Sequence, residues 1–557
     1  MLINLINDIE KELRNDIKKA VEGANFNLKQ LPEIQIEVPR VELHGDYASN
    51  IAMVLAGSLH KAPRNIAESI VSKFTSTLVD EITVAGPGFI NFTLNNDWLY
   101  RNTEMILKSA GDYGKTNFGE GKSVQIEFVS ANPTGPLHVG HSRGAVVGDV
   151  LANIMDAAGY NVEKEYYIND AGNQMDILAR STLLRYKQVL GMEVKLDENS
   201  YAGDYLIDIG RELKELYDNK ILDKSEEEQL EICREFAYKK MLKIIEEDLE
   251  GLGIEFDNWF SERQLHQGKI IESIEILREN GYIYEKDEAL WFKSSDFGDD
   301  KDRVVIKSDG KTTYLAADIA YHLNKLSRGF DILINVWGAD HHGYIPRMKS
   351  VIQAFDYAKE KLEILIVQLV SLLRDGKKVA MSKRSGEFVT MRELVKEVGR
   401  DAARYFYIMR STDSHFDFDL DLAKEESNNN PVYYIQYAHA RICSILDNVE
   451  GSIGDIEELD NMEGLFKLLL EKSELDLMKM LARFPEEVKM SAGKRQTHHI
   501  AAYAHELAGV FHLFYNQCRI INTDERLSSA RLLLVRATKQ VLENVLKLLG
   551  INAPQKM

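Results

Sequence analysis

The chain has 557 residues, 68 Lys plus Arg against 88 Asp plus Glu, and a formal charge of −20. That length allows three to five domains at roughly 100–200 residues each. An apolar fraction of 45% is ordinary for a packed protein and excludes wholesale disorder. The acid surplus excludes a uniformly basic nucleic-acid binder, because such a partner ordinarily calls for a basic footprint.

The N-terminus, MLINLINDIEKELRNDIKK, carries acids early and lacks a long apolar core, unlike a signal peptide. Leu2, Leu5, Ile6, Ile9, Leu13 and Ile17 recur there at helical spacing. Ile34, Ile36 and Val38 alternate with polar neighbours as a half-buried strand would, and Ile90, Phe92 and Leu94 do so after the Gly86-Pro87-Gly88 turn. Residues 1–112 therefore read as a compact α+β module, followed by a glycine-rich linker, Gly111–Gly121.

Val124–Val129 then reads as a strand, followed by a loop with two prolines, a helix carrying Val146, Val150 and Ile154, and a second strand, Val162–Ile168. Strand, loop, helix and strand open a doubly wound parallel sheet. From about 180 to 300 the sequence is acidic and mostly helical, an insertion within that sheet, since strand signals resume at Ile332–Trp337 and Ile364–Val367. Beyond about 400 helix follows helix with no convincing strand, ending at Gly550 ahead of Pro554. The expectation is a multidomain α/β chain: an α+β module over 1–112, a Rossmann-type catalytic domain over 113–400 and an all-α bundle over 401–557. No stretch approaches the ~18 consecutive apolar residues of a membrane span. Cys233, Cys443 and Cys518 lie far apart without CxxC spacing, which fits a reducing cytoplasm rather than a disulfide framework or zinc knuckle.

The strongest chemical feature is Ser130-Ala-Asn-Pro-Thr-Gly-Pro-Leu-His-Val-Gly-His141, between a strand and a helix, where a parallel sheet presents helix N-terminal amides to phosphate. His138 and His141, at i and i+3, can both face a ligand at the first turn, and Gly140 leaves room for a base or ribose against the backbone. Imidazole N–H groups here would stabilise charge on a transferring phosphate. The pair is equally readable as structural histidines at a helix cap. Zinc is disfavoured, since no third ligand is evident. Downstream, Lys377-Lys-Val-Ala-Met-Ser-Lys-Arg-Ser-Gly386 combines small residues, glycine and cations in a loop that could close over polyphosphate, or form a solvated basic turn.

Together these segments resemble class I aminoacyl-tRNA synthetases: His138–His141 matches the HIGH signature and Met381-Ser-Lys-Arg384 most of the KMSK signature. Ser130–Asn132, Asn169–Gln174, Thr313–Asp318, Gly338–Gly343, Asp401–Tyr405 and Val84–Phe92 resemble arginyl-tRNA synthetases of bacterial form in particular. The first KMSK lysine is Ala380 here, so the loop relies on Lys383, with Lys377, Lys378 or Arg384 as supplements.

The resemblance implies activation of L-arginine with ATP and Mg2+, then transfer to the 2′-hydroxyl of the terminal adenosine of tRNA(Arg). It implies catalytic roles for His138, His141 and Lys383. ATP falls to these residues with Gly140, Gly338, Asp340, Met381 and Ser382. Arginine falls to Ser130, Asn132, His141, Gln174, Tyr314, Asp318 and His341. Tyr314 and Asp318, at i and i+4, can bring hydroxyl and carboxylate to one guanidinium. In the helical tail, Tyr433, Gln436, Tyr437 and Arg441 could stack on and read anticodon bases, or belong to the bundle core. No dedicated metal site is visible. The family further implies a cytoplasmic monomer without membrane contact.

Two rival classes remain at this level: an HxGH nucleotidyltransferase acting without tRNA, and a silent RNA-binding descendant of a synthetase. Between Arg374 and Arg410 ten basic residues face five acidic ones, a local surplus of five within an acidic chain.

Overall fold

The computed structural model describes residues 5–28, 30–39, 44–379, 389–449, 462–521 and 524–557. Five parallel strands form the central sheet in the order Leu362–Val367, Ile332–Gly338, Ser123–Glu127, Asn161–Ile168, Asn258–Ser261. Numbered along the chain, that order is 5-4-1-2-3. The strand order reverses between the first and fourth strands, and a crevice for ligands opens beyond their carboxyl ends.

Helix Val139–Ala157 crosses from the first strand to the second, and it is buried nearly all round, Ser142, Arg143 and Asp149 included. Gly148 lets it approach the sheet: a Cβ there would lie 2.3 Å from the Phe128 ring.

The N-terminal module has a three-stranded antiparallel sheet, Tyr47–Ser49, Phe89–Leu94 and Val79–Ala85, covered by helices Leu5–Gly23, Ile51–Leu59 and Pro63–Val71. Ile90, Phe92 and Leu94 are buried on one face, as their alternation requires. The expected strand at Ile34–Val38 is reduced to one bridge between Glu37 and Ala48, and Val38 is 70% exposed. Its partner strand has only three residues, and Pro39 has no N–H to extend the pairing.

Gly111–Gly121 is not a loose linker. Thr116, Gly119 and Gly121 donate backbone N–H groups to Ala157, Ala158 and Gly159 at 2.8–2.9 Å. Gly119 is needed because a Cβ would meet the Tyr160 ring at 2.5 Å.

The acidic stretch is helical over Asn173–Val189, Tyr205–Tyr217 and Glu226–Gly251. It then departs from the helical expectation. Asn258–Ser261 joins the parallel sheet at its edge, and Ile283–Lys286, Ala289–Phe292 and Arg303–Ile306 make a separate antiparallel sheet. The strands were hidden by their length of four residues each.

Past residue 400 the structure is mainly helical, with one further correction. Phe416–Asp419 is a strand, paired parallel with Val370–Arg374. Its inward residues are two phenylalanines alternating with aspartates, too short a run to read as sheet. Helices Pro431–Asp447, Lys472–Ala482, Phe484–Lys494, His498–Gln517 and Glu525–Leu549 build the rest of the bundle. The N-terminal module docks on it: Lys479 pairs with Asp46 at 2.6 Å, and Tyr113 donates to the Leu481 carbonyl at 3.1 Å.

Candidate active site

The crevice at the switch point is built from four segments. The first follows the Ser123–Glu127 strand, where Val129 and Ser130 adopt φ of 68° and 43°. Left-handed backbone at two successive non-glycine residues is strained, and it turns the chain sharply off the sheet. Ser130 Oγ donates to Glu127 Oε1 at 2.9 Å and accepts from the Tyr167 N–H at 3.2 Å, which holds that turn. Asn132 lies just beyond and donates to Gln174 Oε1 at 2.7 Å, so two of the expected arginine contacts stand together. Gln174 is carried by the Asn169–Gln174 loop, in which buried Asp170 accepts from Ser261 Oγ and the Arg263 N–H.

His138 caps helix Val139–Ala157. Its Nδ1 accepts from the Gly140 N–H at 3.1 Å, and its own backbone N–H donates to His141 Nδ1 at 3.3 Å. Each Nδ1 is thus an acceptor, which places the proton of each neutral ring on Nε2. The rings lie 3.9 Å apart and tilted by 30°. Capping and chemistry, alternatives in the sequence, are compatible here: the contacts that order the turn are made through Nδ1 of each ring.

The segment that follows the second signature comes to the same place. Val139 donates to the Val389 carbonyl at 3.2 Å, and Met391 to the Leu137 carbonyl at 2.8 Å. Asp248, from the helical insertion, accepts from the Leu137 N–H and from Arg392 Nε. Ala380, Met381, Ser382, Lys383 and Arg384 lie outside the described residues, but the segment that follows them is laid along the histidine turn.

Asp318 sits in helix Tyr314–Ser327 and accepts from the Tyr344 hydroxyl at 2.5 Å. Burial raises its pKa from the ordinary 3.8 to about 7; the charges of Glu262 and Glu127 add to the rise, while Tyr344 and Arg347 oppose it. Tyr314 opens the same helix, 66% exposed at the crevice mouth. Two pocket residues were missed by sequence reasoning. Tyr344 is held by Arg347, whose guanidinium lies 4.3 Å from its ring, and Glu262 is buried and accepts from the Tyr167 hydroxyl at 2.8 Å. Tyr344 was within reach, one residue past Gly338–Gly343. Glu262 comes from a three-residue turn with no local pattern.

Gly338 ends the fourth strand, and Asp340 and His341 follow in the short helix Ala339–Tyr344. Both side chains are mostly exposed, 3.7 Å apart. They stand on the exposed side of that helix, where the His341 ring lies 6.1 Å from that of Trp337.

In the helical domain, Tyr433 and Tyr437 lie nearly parallel at 6.2 Å, and the Arg441 guanidinium lies 4.6 Å from the Tyr437 ring. With Tyr434, His512 and Asn516 they line an open cavity of about 580 Å³. Gln436 does not join them. Its amide donates to Asp401 and to the Asn552 carbonyl, tying the chain end to the bundle.

A parallel sheet in this order, with HVGH after its first strand and the second signature's flank bound across it, defines the catalytic domain of a class I aminoacyl-tRNA synthetase. Comparison with known proteins agrees with that class. Residues 102–415 match the model for the class I (R) tRNA synthetase catalytic domain, 8–94 that for the arginyl tRNA synthetase N terminal domain, and 435–557 that for the DALR anticodon binding domain. The arginine–tRNA ligases of Bacillus licheniformis and Bacillus subtilis are 51% and 50% identical, each aligned over 100% of both chains. The solved arginyl-tRNA synthetase of Thermus thermophilus shares the fold at 22% identity and a TM-score of 0.74, over 98% of this chain and 100% of that one. The chain belongs to the arginyl-tRNA synthetase family.

Proposed function

We propose that the crevice is the single site at which this chain activates L-arginine with ATP and charges tRNA(Arg). The observation that supports the reading is Asp318: a desolvated carboxyl near a buried acid, Glu262, that accepts from the Tyr344 hydroxyl and makes no ion pair within 4 Å among the described residues. Arg347 opposes the rise of its pKa without cancelling it, and a guanidinium in the crevice offers the planar set of donors that a carboxylate and a tyrosine hydroxyl can share. Asn132 and Gln174 take the α-amino and carboxylate end. Tyr314, Tyr344, Asp318 and Glu262 take the guanidinium end.

The arginine carboxylate attacks the α-phosphate of ATP, forming the mixed anhydride and releasing pyrophosphate. The tRNA 2′-hydroxyl then attacks the activated carbonyl and AMP leaves. No protein nucleophile is required; positioning and charge stabilisation do the work. His138 and His141 direct Nε2 donors at the phosphates, Lys383 adds a cation from its loop, and Gly338 and Asp340 hold the ribose side. Mg2+ arrives on the ATP phosphates, which supply most of its ligands; among the described residues no group of three His, Cys, Asp or Glu is placed to hold a metal.

The aromatic cavity of the helical domain is read as the anticodon site. Its rings offer faces for unpaired bases, and His512, held near pKa 4 by burial and by Arg441, is a neutral partner for a base edge. Functional units of 1–112, 113–400 and 401–557, a cytoplasmic location and a monomeric state complete the proposal. No helix among the described residues is long and apolar enough to cross a membrane.

Amino-acid-dependent ATP–pyrophosphate exchange, with and without tRNA, tests the reading. Exchange with arginine alone among amino acids is expected, and Asp318→Ala should abolish it while leaving the fold intact. An unchanged arginine KM in that variant would remove Asp318 from the pocket.

A further inference from the structure

Beneath the crevice a chain of hydrogen-bonded polar groups runs from Ser130 to the helix that carries Asp318. Glu127 and Asn335 are cross-strand partners in the parallel sheet. Lys325, wholly buried, donates to Glu127 Oε2 at 2.5 Å and Asn335 Oδ1 at 2.9 Å. The Asn335 amide nitrogen faces His322 Nε2 at 3.2 Å, and His322 Nδ1 faces the Asp318 carbonyl at 2.8 Å. At the other end, Glu127 accepts from Ser130 Oγ.

The orientation of every link is forced. Lysine can only donate, so Asn335 presents its oxygen to Lys325 and its nitrogen to His322. His322 Nε2 must then accept, its proton sits on Nδ1, and that N–H donates to the backbone carbonyl of Asp318, one turn earlier in the same helix. Burial and the Lys325 charge hold the His322 pKa near 3, so the ring stays neutral and the tautomer fixed. Asp318, His322 and Lys325 share one helix face, at i, i+4 and i+7. That face is stapled to the two strands that flank the switch point.

We propose that this relay, Ser130–Glu127–Lys325–Asn335–His322–Asp318, sets the separation of the two ends of the amino-acid pocket and thereby selects side-chain length. Lys325, Asn335 and His322 are positioning residues. The inference rests on the assignment of the Ser130–Asn132 turn to the α-amino end and Asp318 to the guanidinium end. A buried hydrogen-bonded network cannot stretch without leaving a polar group unpaired, which is costly in a low-dielectric interior. A fixed span rejects a substrate longer by one methylene, a change worth roughly 10–200-fold in a well-fitted pocket.

Two variants test it: Asn335→Leu, which cuts the relay while leaving the Lys325–Glu127 pair intact, and the double variant Lys325→Met, Glu127→Gln, which leaves no orphaned charge. Aminoacylation is measured with L-arginine and with L-homoarginine, its homologue longer by one methylene. In either folded variant the ratio of kcat/KM for arginine over homoarginine should fall by about tenfold or more, with the KM for ATP unchanged. A ratio equal to wild type, or equal losses on both substrates, would assign the relay to stability alone and overturn the proposal. Asp318→Asn is run alongside. A wild-type arginine KM there overturns the pocket assignment and the relay together, whereas a raised KM beside an unchanged ratio overturns only the relay.

Discussion

Asp318 is where function and stability pull apart. Its carboxyl is raised to about 7 chiefly by burial, so at neutral pH about half of it is protonated in the free enzyme. An arriving guanidinium favours the ionised form and lowers that pKa, so binding below pH 7 must release a proton. The arginine KM should therefore be flat above pH 7 and rise by roughly tenfold per pH unit below it, with the KM for ATP following no such course. A flat arginine KM from pH 5.5 to 8 would show that Asp318 does not bind the cation. The stability linkage has the opposite sense. A carboxyl raised from 3.8 to about 7 favours the fold below pH 3.8 and loses that contribution as pH climbs to 7. Asp318→Asn, with its near-isosteric amide, should therefore melt higher than wild type at pH 8, the gain shrinking as pH falls toward 4. An enzyme stabilised by losing its substrate contact is the pattern expected where a site holds uncompensated charge for its ligand.

At the scale of the element, the turn Leu137–His141 does two jobs that can be separated. His138 supplies a cap through Nδ1, and in the proposed reaction its Nε2 donates to the phosphates. Asparagine is among the best helix caps but lacks the distal N–H. His138→Asn should keep the melting temperature near wild type while slowing adenylate formation by about 10²–10³-fold, the cost of removing one donor from a developing oxyanion. A large loss of stability with little loss of rate would make the histidine a cap and nothing more. This element was legible in the sequence because local signals agree along it: strand, glycine-containing turn and helix sit in one run. The opposite holds for Asn258–Ser261 and Phe416–Asp419, whose four residues each are too few for a period to emerge. Their strand state is imposed by the neighbours that pair with them. Glu262 was hidden for the same reason, since its meeting with Tyr167 and Asp318 is made by the sheet's third strand and not by any local pattern. Ser130 and Asn132 were found by motif, but the motif could not say that the Ser130 hydroxyl is already bonded on both sides.

Across the whole molecule, linear charge counts mislead because the fold brings distant acids to nearby bases. Of the cations between Arg374 and Arg410, Arg374 pairs with Glu397, Lys378 with Asp417, Arg392 with Glu247 and Asp248, and Arg404 with Asp149. Three of these four cations draw on acids from outside that span, so the surplus of five is partly cancelled in space. Arg404 is the deepest of them. Fully buried, it donates to Asp149 Oδ2 at 2.6 Å, the Leu549 carbonyl at 2.8 Å and the Leu252 carbonyl at 2.8 Å. One guanidinium therefore joins helix Val139–Ala157, the end of helix Glu226–Gly251 and the end of the last helix. Gly550 makes room for it: φ is +66°, and a Cβ would lie 2.2 Å from Arg404 Nη2. Removing one member of a buried ion pair costs about 3–5 kcal/mol, so Arg404→Leu should lower the stability of the entire chain by that order. Gly550→Ala should also destabilise, by clashing with the guanidinium and by straining a left-handed cap. Because the clash needs the arginine, Gly550→Ala should cost less in the Arg404→Leu background than in wild type. Chemical denaturation of the four proteins of that cycle gives the coupling directly. Additive losses would mean that the two residues act independently and that the guanidinium does not hold the three segments together.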